Sequence, residues 1–329
     1  MAALLTAFFW FFGHYQSETA LSGTLWYLWA MTYSIVARDP DTGQFGVAVQ
    51  TCWFAVGTVV PWAIAGVGAV ATQAMVEVSY GPKCLERLVA GADAHRALDE
   101  VRAEDEEAAV RQVAVVDRSG AVSVHTGDLC IDHAGHHLGD QYSVQANMMA
   151  SARVWPAMAE AYETTAGPFP ERLLAVLRAA ENAGGDARGR MSAAMLIVDG
   201  ERHDHPWEGV LLDVRVDHDD RPLDQIDHLL QAAAAFDHCD RAEQELFGGD
   251  PTAALREVDL ALERLPGDEN ARFMRAAALI VSGQPEAGAG ELRALVNARP
   301  SWAVVIRSFA ATDQLPLPEG FDLDSVLTP

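Results

Sequence analysis

Apolar and polar residues alternate in short runs from residue 32 onward, and turn-forming residues separate the runs. YSIVARD and QFGVAVQT flank DPDTG, where Pro, Asp and Gly take turn positions, so a β-hairpin is predicted there. The small-residue run AIAGVGAVATQ predicts one further buried strand, whose glycines allow close backbone approach. Five more strands are predicted, over RQVAVVDRSG, AVSVHTG, QYSVQANMM, MSAAMLIVDG and GVLLDVRVDHDD.

Helical periodicity appears in two pairs of segments that lie between these runs of strands. The first pair is SYGPKCLERLVAG and DAHRALDEVRAEDEEA, and the second is SARVWPAMAEAYETT and FPERLLAVLRAAENAGG. Strands grouped in this way with paired helices between them favour an α+β sandwich, in which antiparallel sheets are covered by helix pairs. We expect this first domain to span residues 32–221.

The chain becomes helical and rich in Ala and Leu after RPLD, so a second, all-α domain is expected over residues 222–329. GGDPTAALREVDLALERLP aligns with SGQPEAGAGELRALVNARP at a spacing of 34 residues. That period is typical of tetratricopeptide helical hairpins, which recruit protein partners. The alternative is a plain helical appendage that binds nothing.

Residues 1–31 are strongly apolar, but they lack the basic region and cleavage site of a secretory signal. Three interpretations remain: a mis-assigned start with Met31 as the true one, a weak membrane or partner anchor, and a leader that is removed. The first is favoured because the domain pattern begins at Thr32 and does not depend on what precedes it.

Composition narrows the choice of partners and of compartment. The formal net charge of −24 argues against nucleic acid and anionic membranes, because both are polyanions. The four cysteines form no C-x-x-C pair, which fits free thiols in a reducing cytoplasm. Lys83 is the only lysine and falls in a predicted helix.

Thr32 is the first candidate for chemistry. The hydroxyl of an N-terminal threonine can be activated by its own α-amino group, whose pKa near 8 suits a base at neutral pH. This requires Thr32 to be the first residue, for example after removal of Met31. The alternative is that Thr32 simply begins a strand. Ser34 is a second hydroxyl on the same strand face.

Two polar loops are further candidates for a site. GGDARGRMSAA places Asp186, Arg188 and Arg190 just before a buried strand, where an Arg could clamp a substrate carboxylate or an Asp–Arg pair could fix the loop. HTGDLCIDHAGHHLGDQY is rich in histidines, including His136. These histidines could bind a metal ion or could hold the loop by hydrogen bonds, and no metal site is assigned.

Several blocks, taken in order, resemble one family of bacterial proteins, the domain of unknown function 1028. These blocks are TYSIVARDPDTGQFGVAVQT, AVGTVVPWAIAGVGAVATQA, SYGPKCLERL, RQVAVVDRSG, HTGDLC, AGHHLGDQYSVQANMM and GGDARGRMSAAMLIV. The family is grouped with the N-terminal nucleophile (Ntn) hydrolase folds. The resemblance therefore implies a four-layer αββα sandwich, here followed by the tetratricopeptide-like domain.

The resemblance also implies an amide-bond hydrolase by analogy, and a homodimer. The first hypothesis is accordingly a cytoplasmic amidohydrolase that acts on a small amide or ureido compound without a cofactor. Thr32 would be the nucleophile, Asn147 and backbone N–H groups would stabilise the oxyanion, and Asp186, Arg188, Arg190 and His136 would bind the substrate. The alternatives are a non-catalytic ligand-binding or scaffold protein and a metal-dependent hydrolase that uses the histidine loop.

Overall fold

The computed structural model describes residues 32–312, 314–315, 317–318 and 320–327. The expectations about residues 1–31 therefore lie outside the described residues. Ten strands are present in the described part of the chain. They are β1 Thr32–Arg38, β2 Phe45–Thr51, β3 Pro61–Ile64, β4 Gly68–Ala74, β5 Arg111–Asp117, β6 Val122–Thr126, β7 Gly135–Gly139, β8 Tyr142–Asn147, β9 Ser192–Val198 and β10 Val210–Val216.

The strands form two antiparallel sheets. The larger sheet has the order β10-β9-β2-β1-β8-β7, and the smaller has the order β3-β4-β5-β6. In the larger sheet β1 lies between β2 and β8, so Thr32 pairs with Thr51 on one side and with Asn147 on the other. The predicted β1–β2 hairpin and the antiparallel α+β class are confirmed.

The two sheets pack face to face, and each carries two helices on its other face. Val47 and Val49 of the larger sheet meet Ala69 and Ala114 of the smaller sheet in one apolar cluster. Helices α1 Tyr80–Val89 and α2 Ala94–Ala103 cover the smaller sheet, and α3 Val154–Thr164 and α4 Phe169–Asn182 cover the larger sheet. Burial of these alternating apolar faces is the main term that holds the layers together.

The run AIAGVGAVATQ was predicted as one strand, and that prediction is wrong. Residues 65–67 form a turn, and β3 and β4 pair across it as an antiparallel hairpin. Gly66 has φ +67°, a left-handed conformation that glycine adopts without steric cost. A Cβ at Gly66 would lie 2.6 Å from the backbone nitrogen of Arg202, so the turn also depends on the missing side chain.

Helices make up the rest of the described chain. They are α5 Pro222–Gly248, α6 Pro251–Arg264, α7 Glu269–Val281, α8 Pro285–Ala298, α9 Trp302–Ala311 and α10 Leu323–Leu327. The 34-residue spacing has a structural counterpart. Pro251 and Pro285 are the first residues of two helices of 14 residues, and Gly249 and Gly283 before them share φ +84°. Proline in the first helical turn and a left-handed glycine after a helix are the positions each residue favours.

Helix α5 belongs to both parts of the protein. Leu223, Ile226 and Leu230 join the apolar cluster between the larger sheet and helices α3 and α4. Farther along the same helix, Ala235 and Cys239 pack against α6 and α7. In the described residues no helix combines the length and the apolar character that crossing a bilayer requires.

Candidate functional site

Thr32 stands at an end of the sandwich where several chain segments converge. It is the first residue of β1, and its partners Thr51 and Asn147 are the last residues of β2 and β8. Its side chain is buried, and its Oγ1 donates a hydrogen bond to Thr51 Oγ1 at 3.3 Å. Extended sheet pairing on both sides fixes the backbone of Thr32, so the position of its hydroxyl is set by the two neighbouring strands.

Two buried amide side chains donate to the carbonyl of Thr32, and a third accepts from both of them. Asn147 Nδ2 donates to Thr32 O at 3.3 Å and to Gln112 Oε1 at 3.0 Å. Gln73 Nε2 donates to Thr32 O at 3.2 Å and to Gln112 Oε1 at 2.7 Å. Gln112 Oε1 therefore accepts a hydrogen bond from both amides. Its own Nε2 donates to Ala146 O at 3.0 Å and to Thr126 Oγ1 at 2.9 Å. This network joins the two sheets directly beneath Thr32.

The sequence prediction included Asn147 but missed Gln73 and Gln112. Both glutamines have almost no exposed surface, and both lie in strands that are mainly apolar. A long amide in an apolar strand is a usable signal, because burying it is costly unless each donor and acceptor finds a partner.

Ser34 is fully buried inside the same network. Its Oγ donates to Gln73 Oε1 at 2.6 Å and accepts from Gln145 Nε2 at 2.6 Å. Gln145 Oε1 accepts in turn from Ser143 Oγ at 2.9 Å. The hydroxyl of Ser34 is thus committed to structural hydrogen bonds at the point where the sheets meet.

A cavity of about 220 Å³ opens beside Thr32. The described residues that line it come from the starts and ends of strands and from the loop after β2. They are Thr32, Thr51, Trp53, Val56, Val59, Val60, Gln73, Ala74, Met75 and Val76. A reactive hydroxyl beside a concave apolar space is a common arrangement for a small-molecule site.

The Asp186 loop lies next to this end of the larger sheet, and its charged side chains form ion pairs with neighbouring protein groups. Asp186 accepts hydrogen bonds from the backbone N–H of Cys52 at 3.0 Å and of Arg188 at 2.9 Å. The Arg188 guanidinium pairs with the Asp186 carboxylate at 3.2 Å, and Arg190 pairs with Glu181 at 3.3 Å. These contacts favour the interpretation in which an Asp–Arg pair fixes the loop. Asp186, Arg188 and Arg190 are not among the described residues that line the cavity.

Glu181 anchors a second buried cluster, on the helix-covered face of the larger sheet. Tyr33 Oη donates to Glu181 Oε1 at 2.5 Å, and Gln50 Nε2 donates to the same oxygen at 2.6 Å. Burial, followed by the negative charge of Glu181, raises the pKa of Tyr33 well above its ordinary value. Tyr33 is therefore a neutral donor throughout the physiological range and ties α4 to β1.

The histidine loop lies partly in a strand rather than wholly in a loop. His136 and His137 belong to β7, which pairs with β8. His136 Nδ1 lies 2.9 Å from Thr126 Oγ1, which links it through Gln112 to the network under Thr32. Burial, followed by the positive charges of His125 and His137, lowers the pKa of His136. Among the described residues no three His, Cys, Asp or Glu side chains are grouped to hold a metal ion.

Cys52 lies next to Thr51, but its surroundings do not activate a thiol. Burial, followed by the carboxylate of Asp186, raises the pKa of Cys52, and the opposing effect of Arg188 is smaller. A raised pKa lowers the fraction of nucleophilic thiolate at neutral pH. Cys52 is therefore not favoured as a nucleophile.

The fold and the site define an α+β protein in which antiparallel sheets and helix pairs place a hydroxyl beside a small cavity. The chain belongs to the Family of unknown function (DUF1028), whose match covers residues 32–226. It is similar to a Silicibacter pomeroyi protein of the same family whose crystal structure is known. The two are 33% identical with a TM-score of 0.56, over 62% of this chain and 86% of the other. No curated protein matches the chain.

Proposed function

We propose that this protein is an Ntn-type amidohydrolase in which Thr32 is the nucleophile and its α-amino group is the base. One observation carries the proposal: Thr32 begins a central strand, and its side chain forms part of the wall of a small cavity. Two facing sheets, each covered by a helix pair, also fit the Ntn-hydrolase-like αββα sandwich implied by the resemblance.

The proposed reaction has two balanced steps. Thr32 Oγ1 attacks the amide carbonyl while its proton passes to the α-amino group, and the C–N bond then breaks as the leaving amine takes that proton. The product of this step is an ester between the acyl group and Thr32. Water then attacks the ester while one of its protons passes to the same amine, the acyl C–Oγ1 bond breaks, and the amine returns that proton to Thr32 Oγ1 as the carboxylic acid leaves.

Asn147 is the side-chain donor that we propose for the oxyanion, together with backbone N–H groups. Its Nδ2 now donates to Thr32 O and to Gln112 Oε1, so the oxyanion would take over one of these two bonds. A hydrogen-bond donor aimed at the developing negative charge stabilises the transition state. The same bonds make Asn147 a positioning residue for Thr32 before substrate arrives.

Substitution of Thr32 tests the proposal. With a panel of acyl p-nitroanilides, we expect Thr32→Ala to lower kcat/KM by at least about a thousandfold, because the covalent route is lost. Thr32→Ser should retain part of the activity, since it keeps the hydroxyl. Thr164→Ala is the matched control, because Thr164 is exposed near the end of α3. Full activity of Thr32→Ala would contradict the proposal.

A non-catalytic scaffold is the second candidate, and the helical part of the chain favours it. We propose that α5–α8 form tetratricopeptide-like hairpins. A cavity of about 420 Å³ lies between α5, α7 and α9, and it is lined by exposed Phe247 together with Asp240 and Glu243. These side chains fit a partner with apolar and basic groups. Loss of a cross-linked partner on Phe247→Ala, but not on Leu260→Ala in α6, would support this function.

A cytoplasmic location is also part of the proposal. All four cysteines are free thiols, and burial raises the pKa of Cys84 to about 12. Free, buried thiols fit a reducing compartment. Fractionation of cells that express the protein would test this location.

A further inference from the structure

The lining of the cavity beside Thr32 is apolar on most sides. Its hydrophobic walls come from Trp53, Met75 and four valines, and its polar atoms come from Thr32, Thr51 and Gln73. Among the described residues the lining includes no charged side chain. A charged ligand group would lose its hydration here without gaining a charged side chain as partner, which is unfavourable.

The neighbouring charged groups are engaged elsewhere. Arg111 Nη1 donates to Met75 O at 2.7 Å, and the rest of its guanidinium pairs with Asp105 and Glu107. Arg188 pairs with Asp186 at 3.2 Å. Recruiting either arginine to a substrate carboxylate would leave a part-buried acid unpaired, and that is costly.

The size of the cavity limits what can enter it. An engineered apolar cavity of about 150 Å³ holds one benzene molecule. At about 220 Å³, the cavity beside Thr32 holds a ring with two or three further carbon atoms, or an aliphatic chain of similar volume. Half-exposed Trp53 and Val76 lie on its wall and leave a way in from solvent.

We propose that this cavity binds the acyl part of the substrate, and that this part is an uncharged apolar group of about the size of a benzoyl or hexanoyl group. This inference rests on the proposed function. Because Thr32 is part of the wall, an acyl group esterified to its Oγ1 starts inside the cavity. The amine leaves from the other side of the scissile bond, so its charge need not enter the apolar space.

Binding can be tested separately from turnover. 4-Fluorobenzamide is titrated into the full-length protein and followed by ¹⁹F NMR. It is then displaced with 4-methylbenzamide, which is neutral, or with 4-carbamoylbenzoate, which is anionic and of similar size. We expect 4-methylbenzamide to compete at least about tenfold better than 4-carbamoylbenzoate. Equal competition, or no measurable binding of 4-fluorobenzamide at millimolar concentration, would overturn the inference.

Two valines provide a matched pair of variants. Val76 lines the cavity and is 38% exposed, whereas Val78 is 36% exposed and is not among the lining residues. Val76→Phe should weaken 4-fluorobenzamide binding about tenfold by filling the space, and Val78→Phe should change it less than about twofold. An unchanged affinity in Val76→Phe would place the ligand elsewhere and overturn the inference.

The Thr32→Ala variant separates this inference from the proposed function. It keeps the apolar walls, so we expect it to bind 4-fluorobenzamide within about threefold of the parent protein, whether or not Thr32 is the nucleophile. Binding without any Thr32-dependent hydrolysis would sink the reaction and leave the cavity inference standing. Thr32-dependent hydrolysis that prefers succinyl over hexanoyl anilides would overturn the cavity inference and leave the proposed reaction standing.

Discussion

Single buried amides determine how Thr32 is held. Gln112 accepts from both Gln73 and Asn147, and it donates across to the larger sheet at Ala146 O. Each of these groups would lose one hydrogen bond if Gln112 were removed. A fully satisfied buried network of this kind gives a residue one well-defined position, and a partly satisfied one is unstable.

Gln112→Leu is therefore expected to be strongly destabilising. It keeps a side chain of similar size but removes one acceptor from the Asn147 Nδ2 and Gln73 Nε2 donors and one donor from Ala146 O, so the free energy of unfolding should fall by about 2–4 kcal/mol. Urea unfolding measures this change. Gln225→Leu, on the exposed side of α5, is the control and should change the value by less than about 0.5 kcal/mol. A fall of similar size in both variants would contradict the role given to Gln112.

Residue-scale features were only partly predictable from the sequence. Thr32 and Asn147 stand out as polar residues at strand ends, and the structure places them side by side. Gln73 and Gln112 are direct partners on neighbouring strands β4 and β5 of the smaller sheet, and only the packing of the larger sheet on this one brings them to Thr32 and Asn147. Strand patterns show which side chains share a face but do not show which faces meet.

At the scale of elements, the start of β5 ties down the segment that forms one edge of the cavity. Arg111 links Met75 O to Asp105, which follows α2. Asp105 also accepts from Tyr80 Oη at 3.0 Å. Burial acts to raise the pKa of Asp105, but hydrogen bonds from Arg111, the Glu107 N–H and Tyr80 outweigh it and lower the pKa.

This pKa shift predicts a pH-dependent contribution to stability. Because the pKa of Asp105 is lower in the folded than in the unfolded protein, its contribution is present above the unfolded value of about 3.9 and is lost as pH falls below it. We expect Asp105→Asn to lower the free energy of unfolding by about 1–3 kcal/mol at pH 7. The difference between parent and variant should shrink between pH 5 and pH 3. A difference that is the same at both pH values would contradict the assignment.

The β3–β4 hairpin shows where element prediction failed. The apolar run across residues 61–71 has no polar interruption, so periodicity alone gives one long strand. The chain turns instead at Gly66, where a left-handed φ and contact with the backbone of Arg202 both exclude a side chain. The second of these causes is a tertiary contact, which sequence patterns do not show.

At the scale of the whole molecule, α5 makes the sandwich and the helical part depend on each other. Ile226 is fully buried against the larger sheet and its helices, although it lies after the predicted domain boundary at residues 221–222. The boundary therefore coincides with the start of a helix whose first turns complete the core of the first domain.

Ile226→Ala should destabilise the sandwich from outside its predicted limits. The cavity left in the core should lower the free energy of unfolding by about 2–4 kcal/mol. Phe236→Ala, farther along α5 where the side chain is half-exposed, is the control and should have a much smaller effect. Thermal unfolding followed by near-ultraviolet circular dichroism would show the difference. Equal effects of the two substitutions would mean that the start of α5 is not part of the core.

The catalytic proposal depends on a free α-amino group on Thr32, and the mass of the intact, active protein tests this most directly. The account predicts that the active species begins at Thr32, so that the amine stands beside Oγ1 as the base. An active protein whose mass retains Met31, or any residue before it, would contradict the account.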